Sequence, residues 1–393
     1  MGISVGRELP SPWLRAVIDW RARRIRDPIE RLRFLRKATL LSSPAPRGWL
    51  RRTVVGSAAL AVLALVPAAN YSNAIVYGKL PTLGPERMKA APAAHSIPEV
   101  WLVETQSGSE LYSNGLRVEC GFEVSNERRR YGVIDRSDPE GGFKLWRSDP
   151  AGIVYHATES GMASFEPAQT GTIRRLGESV LEFVRRERAY NYLIDRFGRV
   201  YRVVREPDTA FHAGHSVWAD ERWLYVNLNA SFLGVAFEAR SQGETGQHTL
   251  SAAQVRSGRA LTEMLRAKYK IPACNCVTHA QVSVNPANMR IGYHTDWAGN
   301  LPFEELGLDD NYAQALPSLY AFGFSYDPAF VKSTGMRLWK GIVLAEQELR
   351  QSATAAGLPV EEYRKILERR YKRELMALKA LGATEERGDE SNH

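Results

Sequence analysis

The chain has 393 residues, of which 44% are hydrophobic and 24% charged, and carries a formal net charge of +8. This is the composition of a globular protein rather than of a disordered or collagen-like one, and the length allows more than one folded unit. The positive balance does not imply a nucleic-acid partner: residues 1–52 hold 13 Lys and Arg against 4 Asp and Glu, so the remaining 341 residues sum to −1.

The basic segment 1–52 carries apolar residues at Trp13, Val17 and Trp20, then at Ile25, Ile29 and Leu32. Asp27-Pro28 reads as an N-cap and first helical residue, which divides it into two short helices of the kind that lie on an anionic inner leaflet. The rival reading is a solvated basic tail. From Thr53 to Ala69 no residue is charged, within an uncharged run that reaches Gly78. This meets the lower limit for a membrane-spanning helix, and we expect a signal-anchor over residues 53–76 with Tyr71 and Tyr77 at the interface. Arg51 and Arg52 precede the run, so positive-inside logic leaves residues 1–52 in the cytoplasm and exports the rest. The expectation is a single-pass protein of the inner (cytoplasmic) membrane with its chemistry on the periplasmic or wall side. A cleaved signal peptide with Ser72-Asn73-Ala74 as processing site is the rival, although a 52-residue leading region is long for one.

Residues 77–98 read as a Pro- and Ala-rich linker. Residues 99–150 alternate apolar and polar positions with an Asn114-Gly115 turn, which predicts a few antiparallel strands, either a small accessory segment or edge strands of the catalytic sheet. Residues 151–310 are expected to be the catalytic domain. There Ile173, Leu176, Val180, Leu181 and Val184 mark one amphipathic helix, and Ser251-Ala252-Ala253-Gln254 is a capping box that opens a second. Strands between them predict an α/β fold, a central mixed sheet flanked by helices with a metal site at the sheet edge. Residues 311–383 are expected as a helical C-terminal extension, with helices over 330–350 and 359–381, and 384–393 as a disordered tail. Cys120, Cys274 and Cys276 are too few for a disulfide framework, leaving one bridge to Cys120 as an option in an exported domain.

Three dispersed residues carry the chemistry. His156 ends the apolar run Ile153-Val154-Tyr155, His279 follows Val277-Thr278, and Asp296 closes Tyr293-His294-Thr295-Asp296. Two imidazoles and a carboxylate can hold Zn2+ with a fourth tetrahedral position open, which is the ligand set of a catalytic rather than a structural zinc.

From about Gly152 to Gly307 the chain resembles the zinc-dependent N-acetylmuramoyl-L-alanine amidases, a family that includes phage lysozyme-type amidases and animal peptidoglycan recognition proteins. The markers, in order, are Val154-Tyr155-His156-Ala157-Thr158, Tyr190-Asn191-Tyr192-Leu193-Ile194-Asp195, His212-Ala213-Gly214, Leu233-Gly234-Val235, Thr278-His279 and His294-Thr295-Asp296. The resemblance implies that His156, His279 and Asp296 are the zinc ligands and that the substrate is the peptidoglycan amide between N-acetylmuramic acid and L-alanine. It implies one of two proton-handling groups: a tyrosine, here Tyr190, or a glutamate two residues after Gly234, where this chain has Ala236. Glu238, two residues further on the same strand face, is the alternative base. His294 stands where many relatives carry lysine and is expected to stabilise the oxyanion, with ligation in place of Asp296 as a second option. The resemblance places His212 and Gly214 along the peptide-binding cleft, with Trp218 and Asn229 as further substrate contacts and His215 on the same loop.

Two rivals to a membrane-anchored zinc amidase follow from the same residues. One is a catalytically weak or inactive peptidoglycan-binding sensor, and the other a zinc hydrolase acting on a different acyl-peptide. No residue pattern identifies a protein partner.

Overall fold

The computed structural model describes residues 97–241 and 250–390, with side chains to residue 380. The basic segment, the expected span at 53–76 and nearly all of the linker lie outside the described residues.

Strands β1 (Leu102–Gln106), β2 (Ser109–Tyr112) and β3 (Arg117–Glu119) form an antiparallel meander. Gly115, at φ +81°, supplies the left-handed residue that the turn between β2 and β3 requires. β4 (Tyr131–Asp135) and β5 (Phe143–Arg147) follow, then β6 (Gly152–Ala157) and helix α1 (Thr170–Glu187). β7 (Tyr192–Ile194), β8 (Val200–Arg202), β9 (Val217–Ala219), β10 (Trp223–Val226) and β11 (Phe232–Phe237) lead to helix α2 (Ala252–Tyr269) and β12 (Cys276–Thr278).

Eight of these strands make one mixed sheet in the order β1-β2-β3-β8-β7-β11-β6-β12, and β5-β4-β10-β9 make a second. Parallel pairing of β6 with β11 and β12, and of β7 with β11, puts four strand ends side by side. The segment 99–150 is therefore divided: β1–β3 extend the catalytic sheet at its far edge, whereas β4 and β5 belong to the second sheet.

All six residues of β6 and of β11 are buried, as expected of parallel strands covered on both faces. Alternation then assigns the faces. Tyr155, Ile194 and Phe237 share a core with Leu261, Met264 and Leu265 of α2, and the Tyr155 hydroxyl is 2.6 Å from Thr262 Oγ1. On the opposite face Leu193 and Ala236 pack with Val184 of α1 and with Tyr190, while Val154 packs with Trp218, Trp223 and Tyr225 of the second sheet. Each fully buried aliphatic side chain contributes roughly 1.5–3 kcal/mol, so truncating Phe237 is expected to cost about 3–5 kcal/mol. The Ser251 capping box opens α2, its side chain accepting from the Gln254 amide.

The C-terminal region departs from the sequence reading. Gly335 (φ +71°) and Met336 (φ +66°) interrupt the first expected helix, leaving a short helix at Pro328–Ser333 and helix α3 (Lys340–Ala355). Helix α4 runs Val360–Glu390, and so takes in the described part of the stretch expected as a disordered tail. Trp339, Ile342, Ala345 and Tyr371 join the main core, so this extension packs on the catalytic domain. All three cysteines are free, and the disulfide to Cys120 is not formed.

Candidate metal centre

His156 is the fifth residue of β6 and faces the α1 side of the sheet, directly opposite Ala236 in the parallel register. His279 starts a one-turn helix, His279–Val282, immediately after the edge strand β12. Thr278 caps that turn: its hydroxyl accepts from the Gln281 amide, and the Gln281 side chain returns a bond to the Thr278 amide. Asp296 is tied to the same turn by its carbonyl, which accepts from Ala280 N at 3.2 Å. The residue after it, Trp297, adopts φ +60°.

These elements bring the three ligand-type atoms within 4.8 Å of one another. Asp296 Oδ2 lies 3.3 Å from His156 Nδ1, and Asp296 Oδ1 lies 2.9 Å from His279 Nδ1. His156 Nδ1 is buried without a well-formed hydrogen bond, and His279 Nε2 is buried without a partner. Two imidazoles converging on one carboxylate, with a buried nitrogen left unsatisfied, suit a divalent metal better than a plain hydrogen-bond network. Burial, reinforced by His279, pushes the His156 pKa down to about 4 although Asp296 pulls the other way, so the imidazole is neutral and able to ligate. Burial alone would raise Asp296; His279 and then His156 outweigh it and hold the carboxyl well below its usual range.

Around this trio the sequence-derived residues separate. The Tyr190 ring centroid is 5.0 Å from that of His156, and Tyr190 is buried beside Ala236. His294 stacks on His279 at 4.4 Å with an 18° interplanar angle, and its amide donates to Ser283 Oγ. Both border the His156–His279–Asp296 cluster. Glu238 instead accepts from the Arg196 amide at 3.2 Å and lies under α1 near Gly177, and burial raises its pKa.

The expected substrate contacts differ in exposure. Gly214 is exposed at φ +49°, with open space where a Cβ would stand, so it is accessible on the loop surface. His212, however, is buried behind His156, its Nδ1 3.1 Å from His156 Nε2 and its Nε2 3.2 Å from the Phe232 carbonyl. Trp218 is buried as well, donating to the Cys274 carbonyl and Asn275 Oδ1, and has no face to stack on a ligand. Asn229 Oδ1 accepts from the amides of His212, Ala213 and Gly214, so it shapes the loop from within.

Two contributors escaped the sequence reading. Thr278-His279-Ala280-Gln281 has the capping-box spacing and was legible in principle. Arg129 is buried and donates to the carbonyls of Glu206, Asp208, Asn229, Ala230 and Phe232; within Arg128-Arg129-Arg130 nothing local distinguishes it.

Residues 146–296 match the family model described as N-acetylmuramoyl-L-alanine amidase. Three solved structures are similar. The endolysin N-acetylmuramoyl-L-alanine amidase LysCS from Clostridium intestinale URNW is 23% identical, over 40% of this chain and 81% of that one, at a TM-score of 0.25. The amidase LysC from the same organism is 20% identical, over 47% and 93%, at 0.26. The amidase AmiD from E. coli, solved with anhydro-N-acetylmuramic acid-L-Ala-D-gamma-Glu-L-Lys, is 20% identical, over 49% and 73%, at 0.30. No curated protein matches the chain significantly.

Proposed function

We propose, from the membership of residues 146–296 in the N-acetylmuramoyl-L-alanine amidase family, that this protein is a zinc-dependent enzyme that hydrolyses the peptidoglycan amide between N-acetylmuramic acid and L-alanine. The observation that carries the zinc reading is the convergence of His156, His279 and Asp296 at the end of β6 and β12. These three residues would hold the ion. When bound, zinc supplies Lewis acidity toward an amide carbonyl and lowers the pKa of water.

The chain's own residues do the rest. Tyr190 borders His156 and handles the proton that passes from attacking water to the leaving amine, since Ala236 offers no titratable group. His294, stacked on His279, donates a hydrogen bond to the oxygen that gains charge as the carbonyl is attacked, an interaction worth about 3–4 kcal/mol in a preorganised site. Asp296 remains ionised and keeps both imidazoles oriented. The exposed loop at Gly214 lies where its backbone can approach a stem peptide.

We further propose that residues 53–76 anchor the enzyme in the inner membrane with the catalytic domain outside the cytoplasm. The uncharged run and the arginines before it support this reading. Among the described residues no helix is long and apolar enough to cross a membrane.

The test is incubation of the purified full-length protein with sacculi, with and without chelator, scoring newly exposed N-terminal L-alanine. Chelator-sensitive release and about one zinc per chain, lost in His156→Ala and His279→Ala, are expected. Stoichiometric zinc in both variants would sink the ligand assignment. A wild-type protein that holds zinc and binds sacculi but exposes no L-alanine would show the sensor reading to be correct.

A further inference from the structure

His212 has no role in the chemistry described above, yet it is the neighbour most closely coupled to a metal ligand. Its ring is enclosed: a Cβ at residue 234 would stand 2.6 Å from His212 Cγ, so Gly234 provides the only room for the imidazole to lie against β11. Asn229 pins the backbone at His212 from the other side.

The hydrogen bonds of this ring determine where the protons are. The Phe232 carbonyl can only accept, so His212 Nε2, 3.2 Å away, carries a hydrogen. Arg129 Nη1 donates to the same carbonyl at 2.9 Å, placing a fixed cation nearby that disfavours a second proton on the ring. His212 Nδ1 is then the acceptor, and His156 Nε2, at 3.1 Å, is the donor. A neutral His156 with hydrogen on Nε2 has its lone pair on Nδ1, the atom that faces Asp296 Oδ2.

We propose that His212 is a positioning residue: the chain Phe232 carbonyl, His212, His156 holds His156 in the Nε2–H tautomer, so that its Nδ1 lone pair is directed at Asp296 and available to a metal ion. This rests on the metal reading of the preceding subsection; without a metal, hydrogen on Nδ1 would face Asp296 Oδ2 at 3.3 Å, but that contact is not a well-formed hydrogen bond, whereas His156 Nε2 and His212 Nδ1 meet at 3.1 Å. The alternative tautomer would leave His212 Nδ1 and His156 Nε2 as two buried acceptors facing one another, which is unfavourable by roughly 1–3 kcal/mol. Partners of this kind to ligating histidines set ring orientation, and their loss weakens metal binding by roughly ten- to a hundredfold.

Two measurements on the full-length protein decide the matter. With nitrogen-15 histidine and no metal, long-range proton–nitrogen NMR reports which ring nitrogen bears hydrogen. Nε2–H at both His156 and His212 is expected, and Nδ1–H at His156 overturns the proposal. Zinc affinity is then measured by competition with a chelator, alongside the thermal midpoint of each metal-free variant. His212→Leu should lose about ten- to a hundredfold in affinity, while His212→Asn, whose Oδ1 can accept from His156 Nε2, should stay within a few-fold of wild type. Wild-type affinity in His212→Leu, or the same loss in both variants when both are folded, would mean that the ring only fills space. If the wild type binds no zinc, the metal reading fails by itself, and the NMR result still decides the relation between His212 and His156.

Discussion

Ala236 lies directly opposite His156 in the parallel ladder of β6 and β11, so the sheet presents a methyl group beside that imidazole. No carboxylate occupies that position. The nearest one along the strand, Glu238, accepts a bond from the Arg196 amide under α1.

This geometry makes Tyr190 the group to remove. Tyr190→Phe deletes only a hydroxyl, so zinc content and sacculus binding should persist while turnover falls about a hundredfold, within the range for a general acid–base group. Glu238→Gln should keep most activity. Full activity in Tyr190→Phe combined with a dead Glu238→Gln would reverse the assignment.

Acid should destabilise the metal-free protein over a defined window. The His156 pKa is about 4 when folded and near 6.5 when unfolded. Between those values the unfolded chain binds the extra proton and the folded one does not, so stability falls as pH falls. Burial likewise depresses His212, while Asp296, held well below its usual range by the two imidazoles, extends the loss toward lower pH. Urea midpoints of the metal-free protein at pH 7, 5.5 and 4 should decline, with on the order of 3 kcal/mol from His156 alone. An unchanged midpoint across this series would contradict a buried neutral His156.

Asn229→Ala removes one oxygen that three consecutive amides share. The Gly214 amide can turn to water, but leaving the part-buried donors of His212 and Ala213 unsatisfied costs roughly 1–3 kcal/mol, so the thermal midpoint should drop and zinc affinity should weaken as His212 loosens. Asn229→Asp keeps the acceptor and should restore both. A harmless Asn229→Ala would show that the loop holds itself.

Topology is tested at the cell surface. Protease added to spheroplasts should digest residues beyond the anchor and spare residues 1–52. Recovery of the exported portion as fully soluble protein would instead favour signal cleavage.

How much of this was legible in advance depends on the range of the interactions. The apolar run before His156, the Ser251 capping box and the apolar spacing of α1 are local patterns, and the structure has β6, α2 and α1 where they predict. His156, His279 and Asp296 were identifiable because each ends a strand-like or turn-like string. Their approach to within 4.8 Å follows from parallel pairing of β6 with β12.

The sequence by itself determined the kinds of element and their order, because helix and strand periodicity and capping depend on neighbours a few residues apart. Only the tertiary structure decided what the loop residues do. His212 and Trp218 were expected at the cleft from the family resemblance, with His212 on a loop, which is usually at the surface. Their burial depends on partners far along the chain: the Phe232 carbonyl and Gly234 for His212, and the Cys274 carbonyl for Trp218. The same holds for Arg129, whose five carbonyl acceptors come from two distant segments that converge only after the sheets have packed.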